Sequence, residues 1–327
     1  MMRDIKKITF ILPTKSRIDK IKKFYEINEV KLKKIPHCFI IVTSNVRETN
    51  ILKNFFKQKK TVKVIKQNKP GFMNACFESI TYIKTKYCTF LYDDDLLSPY
   101  YFKLFKKLYT ESIAMGYGVL SNNNSNNIFL PIRIKKLYSE KILSCYYGEN
   151  LTDVKFMPVS PICLIFPSIF LSKWKKKILN FCKNNSLRTE MLLKKNIGPD
   201  LMLYLHQIIK HKNINFSYPH IVEFRMHKKS MSYILGKNKL RVGYWLAKST
   251  LLNSNRISND LKKKIFTYLI VSGYLILFHN LILSIIKKEN YYLAFKKEIA
   301  NIKKSRKFDF KFIYAFKIII NRVYKIL

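Results

Sequence analysis

Three carboxylates stand side by side, Asp93, Asp94 and Asp95, between the apolar run Thr-Phe-Leu-Tyr and the segment Leu-Leu-Ser-Pro, in a chain of 327 residues that holds only 20 Asp and Glu. Adjacent carboxylates repel one another unless solvent or a cation compensates. A divalent cation does so, and hard oxygen ligands suit Mg²⁺ or Mn²⁺, which take a few carboxylates together with substrate phosphates. The chemistry that wants such a site is departure of a diphosphate, whose developing charge the metal offsets. A solvated turn with Asx caps opening the next helix also explains the triplet taken alone. A second acidic position is Asp200 in Ile-Gly-Pro-Asp-Leu-Met. Pro199 suits a first helical position and so puts Asp200 in a first turn, where the positive helix end is expected to hold the carboxylate ionised and fit to act as a base. A helix-start Asp with only a dipole role is the alternative.

These groups need a scaffold. Residues 8–12, 38–43, 62–66 and 87–92 are short β-branched and aromatic runs, and helical spacing fills 18–34 and 72–84 between them. Strand and helix in alternation indicate an α/β domain with parallel strands, whose ligands bind outside the carboxyl ends of the strands. The polar residues there are Thr14 to Arg17, Ser44 and Asn45, Gln67 to Asn74, and the triplet. A helix is expected over 99–115, a loop at 122–127, an apolar stretch at 162–171, a helix after Pro199 and a basic strand at 219–226. Beyond about 236 the chain becomes Lys-, Leu- and Ile-rich helical sequence. The expected division is a catalytic domain over 1–235 and a basic helical region over 236–327.

The order of ILPTKSR, CFIIVTSN, NKPGFMNACFESI and YCTFLYDDDLLSP resembles the family 2 glycosyltransferases, most closely over residues 8–100 and readably to about 232. The resemblance implies a GT-A fold, a Rossmann-like mixed sheet flanked by helices, and transfer of a sugar with inversion from a nucleotide-sugar donor. It implies that Pro13, Thr14 and Arg17 border the nucleotide, that Gly71 and Asn74 approach the ribose or diphosphate, and that Asp93 and Asp95 form a DxD pair. Asp95 is then the direct metal ligand, Asp93 contacts ribose or a metal-bound water, and Asp94 belongs with the donor-contacting group. Asp200 matches the family's base, with Pro199 where a Glu is usual. The run EFRMHKKSMS is similar to a late segment whose His and Ser approach the diphosphate or metal, which makes His227 a candidate metal contact supported by Arg225, Ser230 and Ser232. MPVSPICLIFPSIFL resembles the stretch that shapes an acceptor pocket, with Ser160 and Pro161 its most recognisable residues. Where the family often has an acidic residue at the end of the second strand to read the base, this chain has Ser44 and Asn45, so the nucleotide stays open.

The 62 Lys and Arg against 20 acidic residues give a net charge of +42, which points to polyanionic partners. A general Lys, Ile and Asn richness produces the same excess, and no helix-turn-helix, zinc-finger or RNA-binding motif accompanies it, so no specific nucleic acid is expected. The six cysteines form no CxxC pair, consistent with small hydrophobes in a reducing cytosol. The first apolar run is too short for a secretory segment. Residues 265–286 carry no formal charge and are long enough to span a bilayer, but His279, Asn280 and lysines on both flanks favour peripheral attachment instead. The final run, FDFKFIYAFKIIINRVYKIL, reads as an amphipathic helix for an anionic inner-leaflet surface, in keeping with a glycan or lipid-linked acceptor. Two other readings stand beside the enzyme: a non-catalytic basic binding protein on a degenerate GT-A scaffold, and a nucleotidyltransferase, which usually carries a Gly-rich phosphate loop that LPTKSR lacks.

Overall fold

Alternation of large apolar residues along Ile8 to Leu12 sends Ile8, Phe10 and Leu12 to one side of a strand and Thr9 and Ile11 to the other, and both sides are buried. That strand is β1 (Ile8–Pro13) in a computed structural model that describes residues 7–14, 17–33, 35–92, 95–108, 113–120, 133–147, 160–218, 220–224, 231–287, 292–304 and 309–323. The chain continues as α1 (Ile18–Leu32), β2 (His37–Thr43), α2 (Val46–Phe55), β3 (Val62–Lys66), α3 (Phe72–Ser79), β4 (Tyr87–Phe90), β5 (Asp95–Leu97), α4 (Pro99–Lys106), β6 (Ala114–Met115), β7 (Gly118–Leu120) and β8 (Arg133–Tyr138). There follow α5 (Ser139–Tyr146), β9 (Leu164–Pro167), α6 (Phe170–Cys182), α7 (Ser186–Arg188), which runs into a π-helical turn at Thr189–Lys194, α8 (Pro199–Ile208), β10 (Asn213–Tyr218), β11 (Val222–Phe224), α9 (Met231–Ser249), α10 (Asn259–Lys287), α11 (Tyr292–Lys304) and α12 (Phe312–Val323).

Two compact units emerge. The first takes residues 1–137, 158–176 and 213–227 and holds an eight-stranded sheet in the order β3-β2-β1-β4-β9-β6-β10-β8. β1, β2, β3 and β4 run parallel, with Ile11 opposite both Ile40 and Phe90. β9 is antiparallel to β4 and β6, which makes the sheet mixed. On one face Phe10 stacks on Phe39 (5.2 Å between centroids), with Tyr25 of α1 edge-on to Phe39 and Tyr101 of α4 tilted against Phe10. On the other, Ile40, Val42 and Ile65 cluster with Ala75 of α3, and Trp174 of α6 meets Phe77 and Phe90. A three-stranded sheet, β5-β11-β7, is built beside it.

The helix expected over 99–115 ends at Lys106, because Ala114 and Met115 pair with Ile165 and Leu164 of β9 and with Asn215 and Phe216 of β10. Those partners lie some 50 to 100 residues away in sequence, and local spacing carries no trace of them. The loop expected at 122–127 lies outside the described residues.

The second unit gathers residues 138–157, 177–212 and 228–327, so it takes in α8 as well as the C-terminal helices. α6 begins in the first unit and ends in the second. Trp245 of α9 is its centre: the indole N–H donates to Leu269 O (2.9 Å) and the ring meets Phe295 of α11 edge-on at 4.9 Å. Tyr147 does the same nearer α12, with its ring against Tyr268 and its carbonyl accepting from the Tyr314 hydroxyl (2.8 Å). Five cysteines are buried, Cys38 is half-buried, and all six are free thiols.

Candidate functional site

The carboxyl ends of β1, β2, β3 and β4 share one edge of the sheet. Pro13 pairs with Val42, the Thr14 N–H donates to Val42 O (2.8 Å), the Gln67 N–H to Thr43 O (3.0 Å) and the Leu91 N–H to Ile11 O (2.8 Å). Parallel register therefore delivers Thr14, Ser44, Gln67 and Tyr92 to the same edge, as the sequence pattern requires. Thr14 Oγ1 is buried there with no hydrogen-bond partner among the described residues, and a buried hydroxyl left unsatisfied costs free energy until something pairs with it. Arg17 stands just before α1, its carbonyl accepting the Ile21 N–H.

At the end of β2, Asn45 caps α2, its Oδ1 accepting from the Glu48 N–H (2.9 Å). That oxygen is thereby engaged in the cap, which leaves the amide NH₂ as the side chain's donor toward a base. Ser44 donates to the Glu48 carboxylate (3.2 Å), and Glu48 is only 6% exposed. Here the first-turn carboxylate of α2 occupies the neighbourhood where the strand itself lacks an acidic residue. The signal for Glu48 is local: Asn45-Val-Arg-Glu48 carries the spacing of a capping box, which places Glu48 next to the strand end.

Gly71 caps α3 with φ +112, in the region that favours glycine, and the Asn74 NH₂ donates to Pro70 O (2.7 Å). Glu78, one turn further on, accepts the N–H groups of Asn68 and Lys69 (2.7 and 3.0 Å) and so fixes the loop after β3. Phe72 packs on Tyr92 at 5.9 Å between centroids, which brings the start of α3 beside the residue that precedes the acidic triplet.

Asp95 opens β5, is 5% exposed, donates its N–H to Tyr92 O (3.2 Å) and pairs across the strands with Phe224 of β11. In sequence, Arg225 and His227 follow that partner. Asp93, Asp94, Arg225, His227 and Ser230 lie outside the described residues, and Ser232 lies in the first turn of α9. Among the described residues no three His, Cys, Asp or Glu side chains gather to hold a metal. Asp95 contributes one hard, buried oxygen donor, the type a divalent cation takes alongside phosphate oxygens. Ser160 and Pro161 sit before β9, where Pro161 O accepts from the Thr89 hydroxyl of β4 (3.0 Å).

Asp200 belongs to the second unit. It follows Pro199 at the first position of α8, as expected, and its Oδ1 accepts the Leu201 N–H (2.8 Å). The helix end does not dominate its charge. Burial pushes its pKa up to about 6, against the opposing pull of the backbone N–H groups of Leu201, Asp200 and Gly198. The expectation that the dipole holds this carboxylate firmly ionised is thus corrected: it titrates close to neutrality. Two glycines create the enclosure. Gly198, at φ +101, lies so close to α9 that a Cβ there would stand 2.7 Å from Gly243 O, and a Cβ on Gly243 would stand 2.3 Å from Ile197 Cγ2. The contact sets Asp200 against Tyr244, whose phenol is held well above its usual range by the Asp200 charge first and by burial second. Nothing in the sequence singled out Gly243 or Tyr244.

No family model matches the chain, and no curated protein does. Solved structures do. The structure of S. aureus TarS residues 1–349 superposes with a TM-score of 0.52 at 12% identity, over 82% of this chain and 72% of that one. A longer TarS structure gives 0.52 at 11% identity over 82% of this chain, which spans 43% of that one. Glucosyl-3-phosphoglycerate synthase from Mycobacterium tuberculosis, in complex with Mn²⁺, uridine diphosphate and glucosyl-3-phosphoglycerate, gives 0.44 at 10% identity, over 75% of this chain and 79% of that one.

Proposed function

The fold is that of the GT-A glycosyltransferases, and from it we propose that this chain is an inverting glycosyltransferase, moving a sugar from a nucleotide-sugar donor to a hydroxyl of a glycan or lipid-linked acceptor in cell-surface polysaccharide assembly. The observation that carries the reading is the shared edge of β1, β2 and β4, where the Thr14 hydroxyl, without a hydrogen-bond partner among the described residues, the Ser44–Glu48 pair and the approach to Asp95 come together. In this reading Thr14, Arg17 and the Ser44–Glu48 pair border the nucleoside, and Glu48 supplies the carboxylate that the end of β2 lacks. The Asn74 side chain and the loop fixed by Glu78 flank the ribose and diphosphate.

Asp95, with Asp93 and His227, would hold Mn²⁺ or Mg²⁺, and the bound ion supplies charge neutralisation for the departing diphosphate. Asp200 receives the proton. With Oδ1 occupied by the Leu201 N–H, its other oxygen takes the hydrogen of the attacking hydroxyl as the new glycosidic bond forms and the bond to the diphosphate breaks. A pKa of about 6 leaves the carboxylate ionised at neutral pH while keeping it basic enough to accept that proton. The membrane partner expected from the basic, apolar C-terminus belongs to the same reading, since a lipid-linked acceptor is met at a bilayer surface.

A screen of nucleotide sugars with Mn²⁺, read as release of nucleoside diphosphate, tests the proposal. Turnover with at least one donor is expected, with loss in both Asp95→Ala and Asp200→Asn. Release that survives Asp95→Ala unchanged removes the triplet from the mechanism, and absence of release from every donor favours the non-catalytic alternative.

A further inference from the structure

α12 wears its apolar side chains outward. Phe312 and Ile313 are each 80% exposed, Phe316 65%, Ile320 49% and Ile319 42%, whereas Tyr314, Ala315 and Ile318 are buried. At about 100° per residue, the five exposed side chains fill a sector about 120° wide centred on Phe316, with Lys317 at its rim. The helix is fixed in this orientation by its other side: the Tyr314 hydroxyl donates to Tyr147 O, and the Lys311 N–H donates to Thr267 Oγ1 (3.0 Å). Five large apolar side chains on one helix face, held out by a packed inner face, are more than the scattered exposure ordinary on a protein surface.

We infer that this face is a membrane-docking surface, with Phe312, Ile313, Phe316, Ile319 and Ile320 entering the boundary between headgroups and acyl chains of an anionic bilayer. This specifies the contact for the membrane partner proposed above, and its test needs no donor sugar, so the two stand or fall separately. Charge selects the occupant. From residue 236 onward Lys and Arg outnumber Asp and Glu five to one, and exposed Lys296, Lys297, Lys303 and Lys304 on α11 join Lys317 in the same unit. Lysines near an anionic surface add to apolar insertion. A second copy of the chain would bring like charges together, which opposes association, and a nucleic acid would engage the lysines and leave the apolar sector in water. Among the described residues no helix is long and apolar enough to cross a membrane. α12 has 12 residues, about 18 Å against the roughly 30 Å of a hydrocarbon core, which assigns it a place in the plane of the interface.

The experiment is co-sedimentation of the full chain with vesicles of phosphatidylcholine containing about 30% phosphatidylserine, at low salt. Binding is expected, weakening about tenfold or more on pure phosphatidylcholine or at high salt. Phe312→Ser with Phe316→Ser should lower partitioning by about a hundredfold, while Phe316→Trp should retain binding and shift its emission to the blue on vesicle addition. Vesicle binding unchanged in the double variant overturns the assignment. So does self-association without vesicles that the double variant abolishes, which would make the face an interface between copies.

Discussion

Replacing Asp200 by Asn should stabilise the protein while abolishing its turnover. Burial lifts the Asp200 pKa from 3.8 to about 6 in the folded chain, so the unfolded state ionises this group more readily. The sign follows: above pH 6 the folded state holds an anion it disfavours, and the penalty fades as pH falls through 6 toward 3.8. At about 1.36 kcal/mol per pH unit the penalty is about 3 kcal/mol at pH 8, about 1.6 kcal/mol at pH 5 and about 0.6 kcal/mol at pH 4. Asn keeps the oxygen that accepts the Leu201 N–H and never ionises, so Asp200→Asn removes the penalty without removing the hydrogen bond. Urea unfolding of both proteins at these pH values should show the variant ahead by about 2 to 3 kcal/mol at pH 8 and nearly level at pH 4. Nucleoside diphosphate release by the variant should fall by about 10² to 10⁴, and the wild type should lose activity below about pH 6 as Asp200 protonates. A stability difference that does not change with pH, or a variant that is weaker at every pH, would refute the account of a half-buried carboxylate whose charge is disfavoured by desolvation.

Three further outcomes follow from the second unit. His206 accepts the Lys177 ammonium at Nδ1 (3.0 Å) and faces Thr250 Oγ1 from Nε2 (3.1 Å), so it folds neutral, and burial together with the nearby Lys177 and Lys210 charges pulls its pKa down to about 3. As pH drops below 6.5 the unfolded state takes up a proton that the folded state refuses until about pH 3, a loss of about 2 kcal/mol by pH 5; His206→Gln should flatten that part of the stability profile. Glu298, 4% exposed, accepts from Arg188 (2.7 Å) and Asn185 (2.5 Å). Glu298→Ala leaves the half-buried Arg188 guanidinium with only Phe181 O as a hydrogen-bond partner among the described residues and should cost about 1.5 to 3 kcal/mol in urea unfolding, with Glu298→Gln milder. Gly198→Ala forces a side chain into a left-handed backbone 2.7 Å from Gly243 O and should cost about 1 to 3 kcal/mol, with a fall in kcat that is absent when Asp200 is already Asn.

The chain sequence determines a good deal by itself. Period-two apolar runs and the helices between them specify β1 to β4 with their crossovers, and parallel pairing then puts Thr14, Ser44 and Tyr92 at one edge whatever lies beyond. The start of α8 at Pro199 and the amphipathic cast of α12 are equally local, carried by one residue type and one spacing. Tertiary structure decides what depends on partners remote in sequence. Ala114 and Met115 become a strand only because β9 and β10 flank them. Glu48 is buried through the way α2 folds back on β2, and the outward turn of the α12 apolar face depends on which side Tyr147 and Thr267 hold. The same holds for the charge on Asp200. Its position at a helix start points to an ionised carboxylate, whereas in the fold, beside the close approach of α9 to Gly198, desolvation outweighs the helix end.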